Sequence, residues 1–211
     1  MSLIAEKLTY TTAAGSTLFD DLDFSLEKGV TVGITGKNGM GKSLLLQILA
    51  GKLLPSSGQV HRKGSLWHVP QHFGQFDRLA VEKALEINGI LKSLEAIAHG
   101  SMDPRHYNRC EGNWDILERC EQSWEKWGLM LNDPKRPFSS LSGGQKTRLL
   151  LSGTDIHQPD WLLLDEPSNH LDREGRSLLL EILNHVGRGT PDCLKTLFCR
   201  RLNFTLFLWD I

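Results

Sequence analysis

Residues 36–43 read GKNGMGKS, a glycine-rich segment that could bind a phosphate chain. Glycines adopt backbone conformations that are closed to other residues, so main-chain N–H groups can close around phosphate oxygens. Lys42 would place a positive charge on the β- and γ-phosphates of a nucleotide, and the Ser43 hydroxyl could ligate Mg²⁺. The candidate residues of this loop are Gly36, Lys37, Asn38, Gly39, Met40, Gly41, Lys42 and Ser43.

The alternative for this segment is a chance glycine-rich turn. Ordinary residue usage gives such a match on the order of once in a hundred sequences of this length. The preceding VTVGIT predicts a buried strand, and the following LLLQILAG predicts a helix that ends at Gly51. Strand, loop and helix form the context that a phosphate-binding loop needs, so we predict a nucleotide site here.

Two adjacent acids end the apolar run LLLDE of residues 162–166. A buried parallel strand that ends there would bring Asp165 and Glu166 to the edge of the sheet at which α/β proteins bind their ligands. Asp165 could then hold Mg²⁺ through water, and Glu166 could orient or deprotonate the water that attacks the γ-phosphate. Many strands end in a solvated pair of acids, but beside the glycine-rich loop this pair indicates nucleotide hydrolysis.

A third segment, LSGGQ at residues 141–145, predicts the start of a helix with exposed backbone N–H groups. Such groups lie at the positive end of the helix dipole and form a second phosphate-binding device. The candidate residues are Ser142, Gly143, Gly144 and Gln145.

GKNGMGKS, LLLDEP and LSGGQ together resemble the ATP-binding cassette (ABC) family over residues 1–190. The resemblance implies an α/β P-loop NTPase fold with an N-terminal antiparallel β-subdomain and a helical lobe inserted at residues 75–155. It also implies a head-to-tail dimer with a second cassette, identical or different, in which ATP lies between Lys42 of one subunit and LSGGQ of the other. The cofactors would be ATP and Mg²⁺.

Two further site residues follow from the same resemblance. Gln71, in HVPQHF, stands where the family has a catalytic glutamine that contacts magnesium and water. Tyr10 stands where the family has an aromatic residue that stacks on adenine, although it could equally be an ordinary strand tyrosine. The catalytic set is therefore Glu166, Gln71 and Lys42, and the metal set is Ser43, Gln71 and Asp165.

The elements that would position these residues are suggested by hydrophobic periodicity. LDFSL at residues 22–26 alternates as a half-buried strand does. Two apolar stripes between residues 80 and 130 predict helices. One stripe begins at Ala84, and the other runs from Trp114 through Leu117 to Trp127, which predicts that its tryptophans pack between helices.

The amino-acid composition narrows the functional classes to which this protein could belong. The net charge of −1 does not suggest a chain that binds polyanions over its whole surface. The four cysteines form no C-x-x-C pair, which is typical of reduced thiols in a cytoplasm. No signal peptide and no apolar run of about 18 residues is evident. We therefore expect a cytoplasmic protein whose partners could include a separate transmembrane subunit.

Three functions remain open at the level of the sequence. PSNHLD and NWDI resemble the soluble ABC-F subfamily, which implies an ATPase with a role on the ribosome, and this chain would correspond to the first cassette alone. The ATP-binding subunit of a membrane transporter is the second function. The third is a cassette that binds ATP but hydrolyses it poorly.

The third function depends on residues 191–211, an atypical C-terminal tail. The family has a strand near residue 196 that ends in a switch histidine, within a Ser-His-Asp sequence. Lys195, Thr196 and Leu197 stand there instead, and no histidine follows His185. We hypothesise that the tail is not ancestral cassette sequence and arose by a frameshift or by divergence of the terminus.

Overall fold

A computed structural model describes residues 2–27, 31–186, 194–197 and 204–209. The strands are β1 (Ser2–Thr11), β2 (Thr17–Glu27), β3 (Thr31–Gly36), β4 (Ser57–Arg62), β5 (Leu66–Val69), β6 (Trp161–Leu164), β7 (Leu194–Leu197) and β8 (Phe204–Trp209). The α-helices are α1 (Lys42–Leu49), α2 (Val81–Ala84), α3 (Asn88–Ala98), α4 (Pro104–Cys110), α5 (Ile116–Lys126), α6 (Gly143–His157) and α7 (Arg173–Val186).

The described residues belong to two compact units. The first draws on residues up to 70, on 159–165 and on those from 177 onward, and the second on 71–158 and 166–176. The mixed α/β fold with an N-terminal antiparallel sheet confirms the fold class expected from the sequence. In the part of the chain that the structure describes, no helix is long and apolar enough to cross a bilayer.

An antiparallel sheet in the order β2-β1-β4 covers one side of the first unit's core. In β2, Leu22 and Phe24 are buried and Asp23 between them is exposed, which confirms the predicted alternation. The buried faces of β1 and β2 belong to the same apolar cluster as Leu45 and Ile48 of α1. The helix that follows the glycine-rich loop is thereby anchored through its apolar face.

The strand that ends in the acid pair is parallel, as the sequence predicts. β6 pairs with β5 from Leu66 opposite Trp161 to Val69 opposite Leu164. Beyond the strand, the Asp165 N–H donates to the Val69 carbonyl at 3.0 Å, so the main chain of the acid continues the ladder. This pairing fixes the point at which the Asp165 side chain leaves the sheet.

β3 belongs to another sheet of the first unit, in the order β3-β8-β7, with antiparallel pairing throughout. Residues 195–197 therefore lie in a strand, at the place where the family resemblance implies one. The side chains of Lys195, Thr196 and Leu197 lie outside the described part of the structure, as do Cys193 and Cys199. The hypothesis about the origin of the tail stays a prediction.

The second unit is helical between α2 and α6, but the predicted tryptophan stripe is only partly correct. Trp124 and Trp127 are buried, whereas Trp114 and Leu117 are 54% and 50% exposed. Trp114 precedes the first residue of α5 and so does not share the helix's buried face; its ring lies 6.2 Å from that of Tyr107. Buried Trp127 donates its indole N–H to an Asp155 carboxylate oxygen at 2.8 Å.

Candidate functional site

The glycine-rich loop connects the end of β3 at Gly36 to the start of α1 at Lys42. Gly39 and Gly41 have φ angles of 83° and 91°, in the left-handed region that favours glycine. Lys42 Nζ donates to the carbonyl oxygens of Gly36 at 2.7 Å and of Lys37 at 3.1 Å. The ammonium group therefore lies against the main chain of the loop, where it can also meet an anion.

Gly41 is constrained by space as well as by conformation. A Cβ atom at this position would lie 3.2 Å from both Cβ and Cδ1 of Leu18. Gly41 is also the N-cap residue of α1, so this helix has no side-chain cap. Its first turn contains no acidic residue either. Its N–H groups and the positive end of its dipole are left for an anionic ligand.

Two of the three residues predicted to bind a metal ion, Ser43 and Asp165, lie in the same unit as this loop. Ser43 is half-buried in the first turn of α1, and Asp165 is 7% exposed at the end of β6. A hydroxyl and a carboxylate are hard oxygen ligands of the kind that Mg²⁺ uses together with phosphate oxygens and water. Main-chain N–H groups, a lysine and these two oxygens therefore fit a nucleoside triphosphate with Mg²⁺.

Glu166 lies in the second unit, and two amide side chains hold its carboxylate. Gln71 Nε2 donates to Glu166 Oε2 at 2.8 Å, and Asn169 Nδ2 donates to the same oxygen at 2.6 Å. The backbone of Glu166 has φ 48°, which is uncommon for a residue with a side chain. Its carbonyl accepts the Asn169 N–H at 3.2 Å, so the strained turn is closed locally.

The loop of residues 166–172 is anchored at its far end by α6. Arg148 Nη2 donates to both oxygens of Asp172, at 2.6 and 2.7 Å, and Arg148 Nη1 donates to the Trp127 carbonyl at 2.9 Å. His170 packs its ring 6.0 Å from that of Phe73. Within the second unit, the chain after Glu166 is thus fixed by an ion pair and by aromatic packing.

The LSGGQ segment begins α6 with a capping box. The Ser142 hydroxyl accepts the Gln145 N–H at 3.3 Å, and the Gln145 side-chain oxygen accepts the Ser142 N–H at 2.9 Å. A Cβ at Gly143 would meet nothing within 4 Å, whereas one at Gly144 would lie 3.1 Å from the His170 carbonyl oxygen. Ser142 and Gln145 therefore shape the helix start, and the open side is at Gly143.

Tyr10 lies in β1 of the first unit, where it packs against the apolar cluster. Its ring is stacked on that of Phe19, with centroids 6.0 Å apart and planes inclined by 29°. Packing against Phe19 is therefore enough to explain an aromatic residue at this position, and no contact with a nucleotide is needed to explain it.

The structure thus distributes the candidate residues between the two units. The glycine-rich loop, Asp165 and Tyr10 lie in the first; Glu166, with Gln71 beside it, and LSGGQ lie in the second. Sequence reasoning missed the contact from Asn169 to Glu166 and the ion pair of Arg148. The capping box of Ser142 and Gln145 has a sequence signal, a serine followed three residues later by glutamine.

A comparison with models of known families matches residues 19–169 of this chain to "ABC transporter". This span is more than half of the chain and includes both the glycine-rich loop and the acid pair. The chain belongs to the ABC transporter family of ATPases. Proteins of this family bind and hydrolyse ATP.

The relatives of the cassette include a metal-import ATP-binding protein and an F-family protein. The cobalt import ATP-binding protein CbiO of Rhodobacter capsulatus is 33% identical over 86% of this chain and 64% of its own length. ABC transporter F family member 4 of Arabidopsis thaliana is 29% identical over 80% of this chain and 21% of its own length. The chain thus spans less than two thirds of these curated relatives, and similar identities to both leave its subfamily open.

The cassette fold is also shared by solved structures. The ATP binding subunit of an ABC transporter superposes with a TM-score of 0.64 at 20% sequence identity, over 88% of this chain and 75% of that one. At this level of identity the likeness concerns the fold, which agrees with the sheets and helices described above.

Proposed function

We propose that this cassette binds Mg-ATP on the glycine-rich loop and hydrolyses it with Glu166 as the general base. The observation that carries the proposal is the 2.8 Å hydrogen bond from Gln71 Nε2 to Glu166 Oε2. It joins the two residues that the resemblance assigns to the attacking water, although they are far apart in sequence. If the glycine-rich segment and the acid pair were chance features, nothing would lead us to expect a hydrogen bond between Gln71 and Glu166.

Each residue has a separate task in this proposal. The N–H groups of the loop and of the first turn of α1 bind phosphate oxygens, and Lys42 offsets their negative charge. Ser43, Asp165 and Gln71 would hold Mg²⁺, whose positive charge would stabilise the charge on the phosphates. Glu166 orients a water molecule and accepts its proton as the γ-phosphate is attacked. Tyr10 would contact adenine with a ring that is already stacked on Phe19.

A second cassette, from the same or another chain, would complete the site. The start of α6 has an exposed glycine, Gly143, at the positive end of a 15-residue helix, which suits a phosphate. In a head-to-tail dimer, Ser142, Gly143, Gly144 and Gln145 would meet ATP bound to the other subunit, and residues 169–172 would line the interface. ATP would then hold the two cassettes together until it is hydrolysed.

For the cellular role we favour an ABC-F-like ATPase that acts on the ribosome. PSNHLD and NWDI support this role, and F-family proteins are among the relatives of the chain. Sedimentation with purified ribosomes in the presence of ATP tests it. We expect the cassette to sediment with ribosomes only when Lys42 is intact. Recovery of the same amount of cassette in the pellet when ribosomes are left out would contradict the role.

The alternative role is that of an ATP-binding subunit of a membrane transporter. The 33% identity to CbiO, a cobalt import ATP-binding protein, favours this alternative. Co-purification of an integral membrane protein with the cassette from detergent-solubilised cells would support it. A cassette recovered with ribosomes and without a membrane protein would contradict it.

The test of ATP hydrolysis compares three proteins, the wild type and the Lys42→Ala and Glu166→Gln variants, in assays of ATP binding and phosphate release. We expect the wild type to do both, and Lys42→Ala to bind ATP roughly tenfold to a hundredfold more weakly and to release little phosphate. Glu166→Gln should bind ATP with turnover lowered roughly a hundredfold or more. Wild-type turnover no faster than that of Glu166→Gln, with ATP still bound, would indicate the hydrolysis-impaired cassette. Failure of the wild type to bind ATP would contradict the proposal.

A further inference from the structure

Glu166 receives both of its described side-chain hydrogen bonds on one oxygen. Gln71 Nε2 and Asn169 Nδ2 converge on Oε2, at 2.8 and 2.6 Å. Among the residues that the structure describes, none donates a hydrogen bond to Oε1. A carboxylate held in this way presents its second oxygen in a defined direction, because two donors on Oε2 restrict rotation about the last side-chain bond.

The geometry points to Asn169 as a positioning residue that fixes the Glu166 carboxylate, so that Oε1 faces the attacking water. This role rests on the proposed function, in which Glu166 is the general base. It is separate from the interface role that the family resemblance gives to residues 169–172, since the contact to Glu166 lies within one chain. Asn169 would thus act on the rate of the chemical step and not on the affinity for ATP.

Asn169 is itself held firmly enough to do this. Its N–H donates to the Glu166 carbonyl at 3.2 Å, so main chain and side chain of Asn169 both contact Glu166. Three residues later, Asp172 is fixed by the Arg148 guanidinium and by the Gly175 N–H, which donates at 2.9 Å. Leu171 between them is buried. The loop therefore leaves the Asn169 amide little freedom to turn away.

The donor supplied by Asn169 differs in kind from that of Gln71. Gln71 begins a segment of the second unit remote in sequence from Glu166, whereas Asn169 is part of the same turn. The resemblance gives Gln71 contacts with the metal and with water, and an amide that makes those contacts cannot always hold Glu166 as well. Asn169 would keep Oε2 occupied throughout the reaction.

The experiment measures kcat and KM for ATP in Asn169→Ala and Asn169→Asp. Loss of a hydrogen bond to a charged group is expected to lower kcat roughly tenfold to a hundredfold in Asn169→Ala, with KM changed less than about twofold. Asn169→Asp keeps the size of the side chain but replaces the donor by a second carboxylate, so we expect an equal or larger loss. Ser168→Ala, an exposed position on the same loop, is the matched control and should retain the wild-type kcat.

A double-mutant cycle separates positioning from other roles. In a Glu166→Gln background, Asn169→Ala should cost little further turnover, because the base is already absent. A further tenfold loss of turnover in that background would show that Asn169 acts other than through the Glu166 carboxylate and would overturn the inference.

Failure of the inference differs from failure of the proposed function. If Glu166→Gln is inactive while Asn169→Ala and Asn169→Asp retain the wild-type kcat, Glu166 is the base and Asn169 does not position it. If Glu166→Gln retains the wild-type kcat, the proposed function fails and this inference fails with it. Circular dichroism of each variant checks that the fold is intact, and the isosteric Asn169→Asp decides the matter if Asn169→Ala does not fold.

Discussion

Arg148 Nη2 lies 2.6 and 2.7 Å from the two carboxylate oxygens of Asp172. The Arg148 side chain is only 13% exposed, and its Nη1 donates to the Trp127 carbonyl. The helix that starts with LSGGQ is therefore tied directly to the loop that follows Glu166. Hydrogen bonds from Arg148 and then from the Gly175 N–H lower the pKa of Asp172, while Asp172 raises the pKa of Arg148.

The lowered pKa of Asp172 predicts a loss of stability in acid. Its ordinary value is 3.8, so the contribution of the pair is fully present above that pH and disappears as pH falls through the lower folded pKa. We expect Asp172→Asn to have a lower Tm than the wild type at pH 7 and to lose less Tm on acidification to pH 3. Glu174→Gln, whose carboxylate is 3.4 Å from the same guanidinium, is the control and should resemble the wild type. If the Tm of Asp172→Asn and of the wild type fell equally between pH 7 and pH 3, the stabilising role of the Asp172–Arg148 pair would be contradicted.

Lys42→Ala should weaken ATP binding without unfolding the protein. Lys42 supplies the positive charge proposed to meet the β- and γ-phosphates, and a charged hydrogen bond is worth about 1.5–3 kcal/mol, or roughly tenfold to a hundredfold in affinity. Isothermal titration with Mg-ATP measures the change. Lys92→Ala removes the same charge from an exposed position on α3 and should bind ATP as the wild type does. Equal affinities for the two variants would count against the loop.

Gly41→Ala tests whether the loop requires both the conformation and the space. The φ angle of 91° and the 3.2 Å approach to Leu18 should together cost about 1–3 kcal/mol of unfolding free energy and lower the affinity for ATP. Gly15→Ala is the matched control, because Gly15 has φ 81° but nothing within 4 Å of the added Cβ. Its unfolding free energy should fall less and its ATP affinity should not change. Equal ATP affinities in both variants would contradict the role of Gly41.

His68 predicts a second dependence of folding stability on pH, at less acidic values than that of Asp172. Burial, with a smaller contribution from the charge of Lys52, lowers the pKa of His68 to about 4 from 6.5. Both of its ring nitrogens are buried, without a hydrogen-bond partner in the described structure. Because the unfolded chain takes up a proton that the folded chain resists, stability should decline as pH falls from 6.5 towards 4, by about 2 kcal/mol at pH 5.

His68→Leu isolates this effect from that of other histidines. Burial also lowers the pKa of His157, so part of the pH dependence of the wild type should remain in the variant. The difference in unfolding free energy between wild type and His68→Leu should therefore change with pH between 7 and 5. Urea unfolding at each pH measures it, and a constant difference would show that His68 titrates normally.

The parts of this fold that follow from the sequence depend on local pattern. Alternation in β2, the strand that ends at Asp165 and the helix after GKNGMGKS each rest on periodicity or on glycine, and the structure has all three. Trp114 shows the limit of such patterns. Its spacing from Trp124 fits a helical stripe, but the helix begins at Ile116, so the side chain falls outside the face that the stripe predicts.

The contacts around Glu166 could not be predicted from local sequence pattern, because they depend on tertiary arrangement. Gln71 and Arg148 reach this loop from distant segments, and neither has a sequence spacing that specifies its partner. The positive φ of Glu166 is equally invisible in sequence, since proline and asparagine after an acid are compatible with several turns. LSGGQ could have been recognised as a capping box as well as a phosphate site, since one pattern serves both.

A crystal structure of the Glu166→Gln variant grown with ATP and Mg²⁺ tests the central claim most directly. We predict that the triphosphate lies against the main-chain N–H groups of residues 37–43, with Lys42 Nζ on its outer phosphates. One metal ion is expected beside the Ser43 hydroxyl, with Asp165 reaching it directly or through water. A nucleotide bound away from this loop, or a metal ion near neither Ser43 nor Asp165, would contradict the account.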